Sequence, residues 1–69
     1  MTTGEKIKTL REQMNLSVRD LEKQIDIDRF MIYHIEKDTR NLTQENIIKI
    51  CKYFGISSDW LLGLKDNLN

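Results

Sequence analysis

The sequence predicts an all-α fold, a compact domain of five short helices. Three observations predict it. Helical hydrophobic spacing recurs five times along the 69 residues. No stretch sustains period-two alternation, and neither an Asn-Gly nor an Asp-Gly hairpin turn is present. The chain has no proline, and its helical stretches are joined by connections of about three to six residues, as in compact helical domains.

The first helix is predicted from about Thr3 to Met14. Thr2 and Glu5 have the spacing of a capping box, Ile7, Leu10 and Met14 share a face, and Asn15 suits a left-handed stop. Ser17 caps the second helix, whose apolar stripe is Val18, Leu21 and Ile25. After the tight turn "QIDID", Asp28 caps the third, which buries Met31 or Ile32 together with Ile35. Thr43 opens the fourth. Ile47, Ile50, Cys51 and Phe54 line its inner face, and Gly55 closes it. The fifth runs from about Ser58 to Leu62 and stops at Gly63. The second and third helices, over residues 17–37, have the turn spacing of a helix-turn-helix unit.

Size and composition narrow the function. A chain this short makes a single domain, residues 1–69, and buries only about 60% of its unfolded surface. One cysteine forms no internal disulfide, and with one histidine it makes no metal site within a monomer. No apolar run approaches the roughly 18 residues of a membrane span, and no signal-peptide pattern opens the chain. A cytoplasmic protein without cofactor, metal or membrane is expected. Cys51 reads as a packed thiol and His34 has no catalytic company, so no enzymatic activity is expected. Lys6, Lys8, Lys49 and Lys52 read as ordinary solvated residues. Eleven basic residues balance eleven acidic ones.

The stretches "LSVRDLEKQIDIDRFMIYHIEK" and "TRNLTQENIIKICKYFGISSDWLLG" carry a resemblance. The chain resembles the phage-repressor (Cro/Xre-type) helix-turn-helix proteins from Thr3 to Leu64. Leu16, Leu21, Ile25, Ile27, Ile32 and Ile35 fall on that family's buried positions, and "FGISSDWLLG" on its fourth-helix stop and fifth helix. Arg29, Glu36, Arg40 and Asn41 also match common residues of the family. The departures are Val18 for a usual Gln, Glu22 for Ala, Asp26 and Asp38 for Gly, and Leu42 for Pro. Asp26 in place of Gly implies a left-handed backbone there. Glu22 in place of Ala has to reach water or a cation, with Arg29 and His34 as candidates.

The resemblance implies a lambda-repressor-like fold and a sequence-specific regulator of bacterial or phage origin. Such a protein binds double-stranded DNA as a homodimer and represses by occupying its operator. Base-reading positions are Asp28, Arg29, Phe30, Tyr33 and His34. Arg29 can fork onto guanine and Phe30 can meet a thymine methyl, while Asp28 can cap the helix instead. Backbone-contacting positions are Ser17, Val18, Arg19, Lys37, Thr39, Arg40 and Asn41. An ion pair between Arg11 and Glu36 is implied between the first and third helices. Ser58, Trp60, Leu61 and Leu64, within the segment from Ser57 to Leu68, are the candidate dimer interface. Of Trp60, Leu61, Leu64 and Leu68, one or two must cover the core, and a lid on a monomer is the competing reading there. Local charge argues the other way. From Ser17 to Arg40 five basic residues meet six acidic ones, a net of −1. The competing reading is a non-enzymatic protein-interaction module, antirepressor- or antitoxin-like, that uses Phe30, Tyr33 and Trp60 to hold a protein partner.

Overall fold

The computed structural model describes residues 1–40 and 42–66. Five helices follow one another: α1 Thr3–Gln13, α2 Val18–Ile25, α3 Arg29–Glu36, α4 Gln44–Phe54 and α5 Ser58–Leu61. The described residues contain no strand. Thr2, Ser17, Asp28, Thr43 and Ser57 stand just ahead of the five helices, and each accepts from an amide of its helix's first turn. Each thereby satisfies a donor that a helix start leaves open. Thr2 with Glu5, and Ser17 with Asp20, complete reciprocal capping boxes. The first and fifth helices end one residue earlier than predicted, with Met14 and Leu62 as caps.

Among the described residues, nine aliphatic side chains form the core: Ile7, Leu21, Ile25, Ile27, Ile32, Ile35, Ile50, Ile56 and Leu61. Ile32 rather than Met31 takes the inner position on α3. On α4, Ile50 is buried, Cys51 and Phe54 pack against the core from its edge, and Ile47 lines surface hollows. Burial pushes the Cys51 thiol above its ordinary pKa, which leaves it a poor nucleophile.

The α1 helix lies across the end of α3. Gly4 is buried where a Cβ would collide with the carbonyl oxygens of Ile35 and Glu36, so only glycine permits this approach. About two turns further along the same face, Arg11 grips Glu36 with two parallel bonds, Nε to Oε2 at 2.7 Å and Nη2 to Oε1 at 3.0 Å. Its Nη1 donates to the Leu16 carbonyl at 2.8 Å, tying in the loop before α2. Only 11% of the Arg11 side chain and 6% of the Glu36 side chain is exposed. The hydrogen bond to Glu36 raises the Arg11 pKa further, against the opposing effect of burial.

Two lysines expected on the solvated face are fixed instead. Lys6 Nζ donates to the Trp60 carbonyl at 2.6 Å and lies 4.9 Å from the centre of its ring, clamping α5 onto α1. Thr3 Oγ1 adds a bond to the Leu61 carbonyl. Lys49 Nζ reaches the Asp26 carbonyl at 2.9 Å and so braces the α2–α3 turn from α4. Leu61, expected at a dimer interface, is fully buried and unavailable to a partner. A four-residue helix completes little more than one turn, and the core takes Leu61 as its anchor.

Asp26 and Asp38, both standing where the resembling family has glycine, adopt left-handed backbone with φ of 55° and 59°. Their side chains differ. The Asp26 carboxylate is fully exposed, with Lys49 Nζ 3.9 Å away. Asp38 Oδ1 accepts the Gly4 amide at 3.0 Å and Oδ2 accepts the Thr2 hydroxyl, so it supplies a second cap to α1. Relief of left-handed strain is worth about 1–2 kcal/mol, less the unfolded-state entropy that glycine adds. Asp26→Gly is therefore expected to raise stability by up to roughly 1 kcal/mol. Asp38→Gly should lie below Asp26→Gly by the worth of a lost cap, about 0.5–2 kcal/mol. Urea unfolding of both variants checks this, and equal midpoints for the two would refute the capping role of Asp38.

Candidate nucleic-acid interface

The face of α3 opposite Ile32 and Ile35 is left unpacked. Phe30 is 64% exposed and Tyr33 48% exposed, one helical turn apart. Cations edge both rings: the Arg29 guanidinium lies 5.3 Å from the Phe30 centroid and Lys37 Nζ 4.2 Å from that of Tyr33. Val18, at the start of α2, closes the space between them. Val18, Arg29, Phe30 and Tyr33 together line a shallow apolar hollow. A second depression beside it is lined by Lys8, Arg11, Val18, Tyr33, Glu36 and Lys37. The start of α2 and the outer face of α3 thus form one continuous surface.

The start of α3 is held by two carboxylates. Asp28 Oδ1 accepts from Phe30 N at 2.8 Å and from Met31 N at 3.4 Å. Glu22 Oε2 accepts from Arg29 N at 2.7 Å. Glu22 was expected to meet the Arg29 or His34 side chain or water. It takes the Arg29 main-chain amide instead, because an unpaired first-turn donor lies closest to it. The Arg29 guanidinium keeps its donors, and among the described residues no carboxylate pairs with it.

The His34 ring is fastened at one side. The Thr39 hydroxyl lies 3.1 Å from both the His34 carbonyl oxygen and His34 Nδ1. Thr39 therefore closes the turn after α3 and fastens the Nδ1 side of the ring.

At the start of α2, the Ser17 amide and then its hydroxyl hold Asp20 below the ordinary carboxylate pKa. The Val18 and Arg19 amides meet no acceptor among the described residues, and Arg19 is exposed. Lys37 and Arg40 are exposed as well, but on different sides. Lys37 adjoins Tyr33, whereas Arg40 lines a hollow with Thr3, Asp38, Leu42 and Leu62. Asn41 lies outside the described residues, as does Leu68.

The C-terminal candidates separate too. Trp60 faces α1, in a depression with Met1, Lys6 and Leu10. Ser58 faces the other way, into an apolar hollow with Ile47, Ile48, Cys51 and Leu62. Ile48, Leu62 and Leu64 are exposed by 44%, 46% and 75%. Ile48 was not among the residues singled out from the sequence, and Leu62 fell within the segment 57–68 without being singled out. The available signal was an isoleucine placed off the inner stripe of the fourth helix. No group of His, Cys, Asp and Glu among the described residues is arranged to hold a metal ion. None of the described helices is long and apolar enough to cross a membrane.

Comparison with known proteins agrees with this geometry. Residues 4–67 match the family described as "Helix-turn-helix domain". The chain is similar to the control protein C.BamHI of Bacillus amyloliquefaciens, with 37% identity over 60 residues, 86% of this chain and 74% of that protein. Its fold is similar to that of the P22 c2 repressor crystallised with a synthetic operator. The TM-score is 0.83 and the identity 24%, over 90% of this chain and 94% of the repressor. The chain belongs to the phage-repressor (Xre-type) helix-turn-helix family of DNA-binding transcriptional regulators.

Proposed function

We propose that the protein is a repressor that lays α3 in the major groove of its operator and acts by occupancy, with no catalytic step. The observation that carries this reading is the unpacked outer face of α3, where exposed Phe30 and Tyr33 are edged by Arg29 and Lys37. A similar fold, that of the P22 c2 repressor, has been crystallised on a synthetic operator. In this arrangement Arg29 forks onto a guanine edge, the commonest specific contact. Phe30 and Tyr33 meet base edges beside it. Asp28 serves as the cap of α3, and His34 supports the turn through Thr39. The free Val18 and Arg19 amides, Ser17, Lys37, Arg40 and Asn41 hold phosphates on either side.

One such helix gives limited affinity. A two-fold dimer places two of them about 34 Å apart, on successive major-groove turns. The α4–α5 face, with Ile48, Ser58, Leu62 and Leu64, supports self-association, since an exposed apolar patch of this kind favours burial. Leu61 and Trp60 have no part in it.

Exposed aromatic side chains also favour a second reading, a surface for a protein partner. Salt separates the two, because binding driven by phosphates weakens steeply with salt and an aromatic interface does not.

Operator duplexes selected from a random pool, titrated against scrambled duplexes at several salt concentrations, test the proposal. Arg29→Ala should cost about 1–3 kcal/mol on the selected site and little on scrambled DNA. Arg40→Ala should weaken both alike and lower the salt slope by about one phosphate contact. Absence of any preference for the selected duplex, with Arg29→Ala silent, contradicts the reading.

Sedimentation tests the dimer. Wild-type protein bound to the operator should sediment as two chains per duplex, and Ile48→Glu as one, with weaker binding. A wild-type monomer both free and on the operator overturns the dimer.

A further inference from the structure

The hollow between α2 and α3 has a chemistry distinct from the rest of the surface. Its walls are carbon, contributed by Val18, Phe30, Tyr33 and the stem of Arg29. Val18 stands where the resembling family usually carries Gln. A glutamine there would present an amide, whereas valine presents only methyl groups, and this substitution completes the apolar lining. Among the described residues no carboxylate lines the hollow, and cations stand over both of its aromatic rings, Arg29 at Phe30 and Lys37 at Tyr33. A positively edged apolar hollow complements a polyanion that projects a small apolar group. A protein partner covering the same rings would have to desolvate both cations. In the major groove, the apolar group available is the C5-methyl of thymine.

We propose that the hollow bounded by Val18, Phe30 and Tyr33 is a receptor for a pyrimidine 5-methyl group. The chain then recognises thymine by its methyl and accepts 5-methylcytosine at the same position. The inference rests on the reading that α3 enters the major groove. The carbon walls carry no group to tell the O4 acceptor of thymine from the N4 donor of cytosine. Methylation at C5 therefore makes a cytosine equivalent to thymine at this contact. The Arg29 guanidinium lies 5.3 Å from the Phe30 ring, which suits contacts to adjoining base pairs. The methyl-bearing pyrimidine is accordingly assigned next to the guanine that Arg29 reads.

The test uses the full chain and a duplex selected from a random pool. Each thymine is replaced in turn by uracil, which removes only the methyl group. At the position beside the guanine, uracil should weaken binding about fourfold, the worth of one buried methyl group. Cytosine at that position should bind like uracil, and 5-methylcytosine should recover most of the loss. In Phe30→Ala, thymine and uracil duplexes should bind equally. Phe30 is exposed and outside the core, so this variant should keep its helix content and melting temperature.

Two results overturn the proposal while leaving DNA reading intact. In one, every uracil duplex binds like its parent although the selected site is still preferred to scrambled DNA. In the other, the uracil penalty persists in Phe30→Ala. No preference for the selected site at all removes the DNA reading and this proposal with it.

Discussion

The contact between α1 and the end of α3 is the constraint on which the surface depends. It has two parts. Gly4 lets the α1 backbone touch the carbonyls of Ile35 and Glu36, and Arg11 closes a two-bond fork on Glu36 while holding the Leu16 carbonyl. The fork joins α1, the loop before α2 and α3 at one guanidinium. Its net stability is small, because two charges are desolvated to make it. Losing one partner still costs about 3–5 kcal/mol, since the other is left buried. The pair therefore defines an orientation more than it deepens the fold. With Ile32 and Ile35 anchored below and Glu36 gripped from the side, the Phe30–Tyr33 face has one direction to point.

Bonds to helix amides and to Arg11 resolve the charge balance, the main sequence objection to DNA binding. Of the six acids between Ser17 and Arg40, five work inside the protein. Asp20 caps α2, Glu22 and Asp28 cap α3, Asp38 caps α1 and Glu36 holds Arg11. Asp26 caps no helix amide with its carboxylate, which is fully exposed on the α4 side near Lys49. The carboxylates are thus matched by helix amides or by a guanidinium at close range. Among the described residues, Arg19, Arg29, Lys37 and Arg40 meet no such acid. A summed charge weights these two sets equally, although only the second faces outward as free cation.

How legible this was from the sequence follows the range of the interactions. Caps, helix starts and left-handed stops depend on neighbours within about four residues, and Thr2, Ser17, Asp28, Thr43 and Asn15 were all readable, while the left-handed Asp26 came with the family resemblance. The side taken by α5 was not. One turn has no hydrophobic period, so Leu61 and Trp60 looked equivalent, although they face the core and α1 respectively. Lys6 and Lys49 failed for another reason. Their acceptors are main-chain carbonyls 54 and 23 residues away, which no local pattern encodes. Glu22 was recognised as needing a partner, but that partner was an amide exposed by the geometry of the turn.

The molecule presents two exposed faces, α2–α3, proposed here for nucleic acid, and α4–α5, proposed for a second copy. Amide chemical shifts recorded during titration with a selected duplex examine that assignment directly. The largest changes should fall at residues 17–19 and 28–33 and at Lys37 and Arg40. Changes at Ile48, Leu62 and Leu64 should accompany dimer formation, whether protein concentration or the operator drives it. A spectrum in which DNA leaves the Ser17–Arg19 and Arg29–Tyr33 amides unmoved would contradict the account.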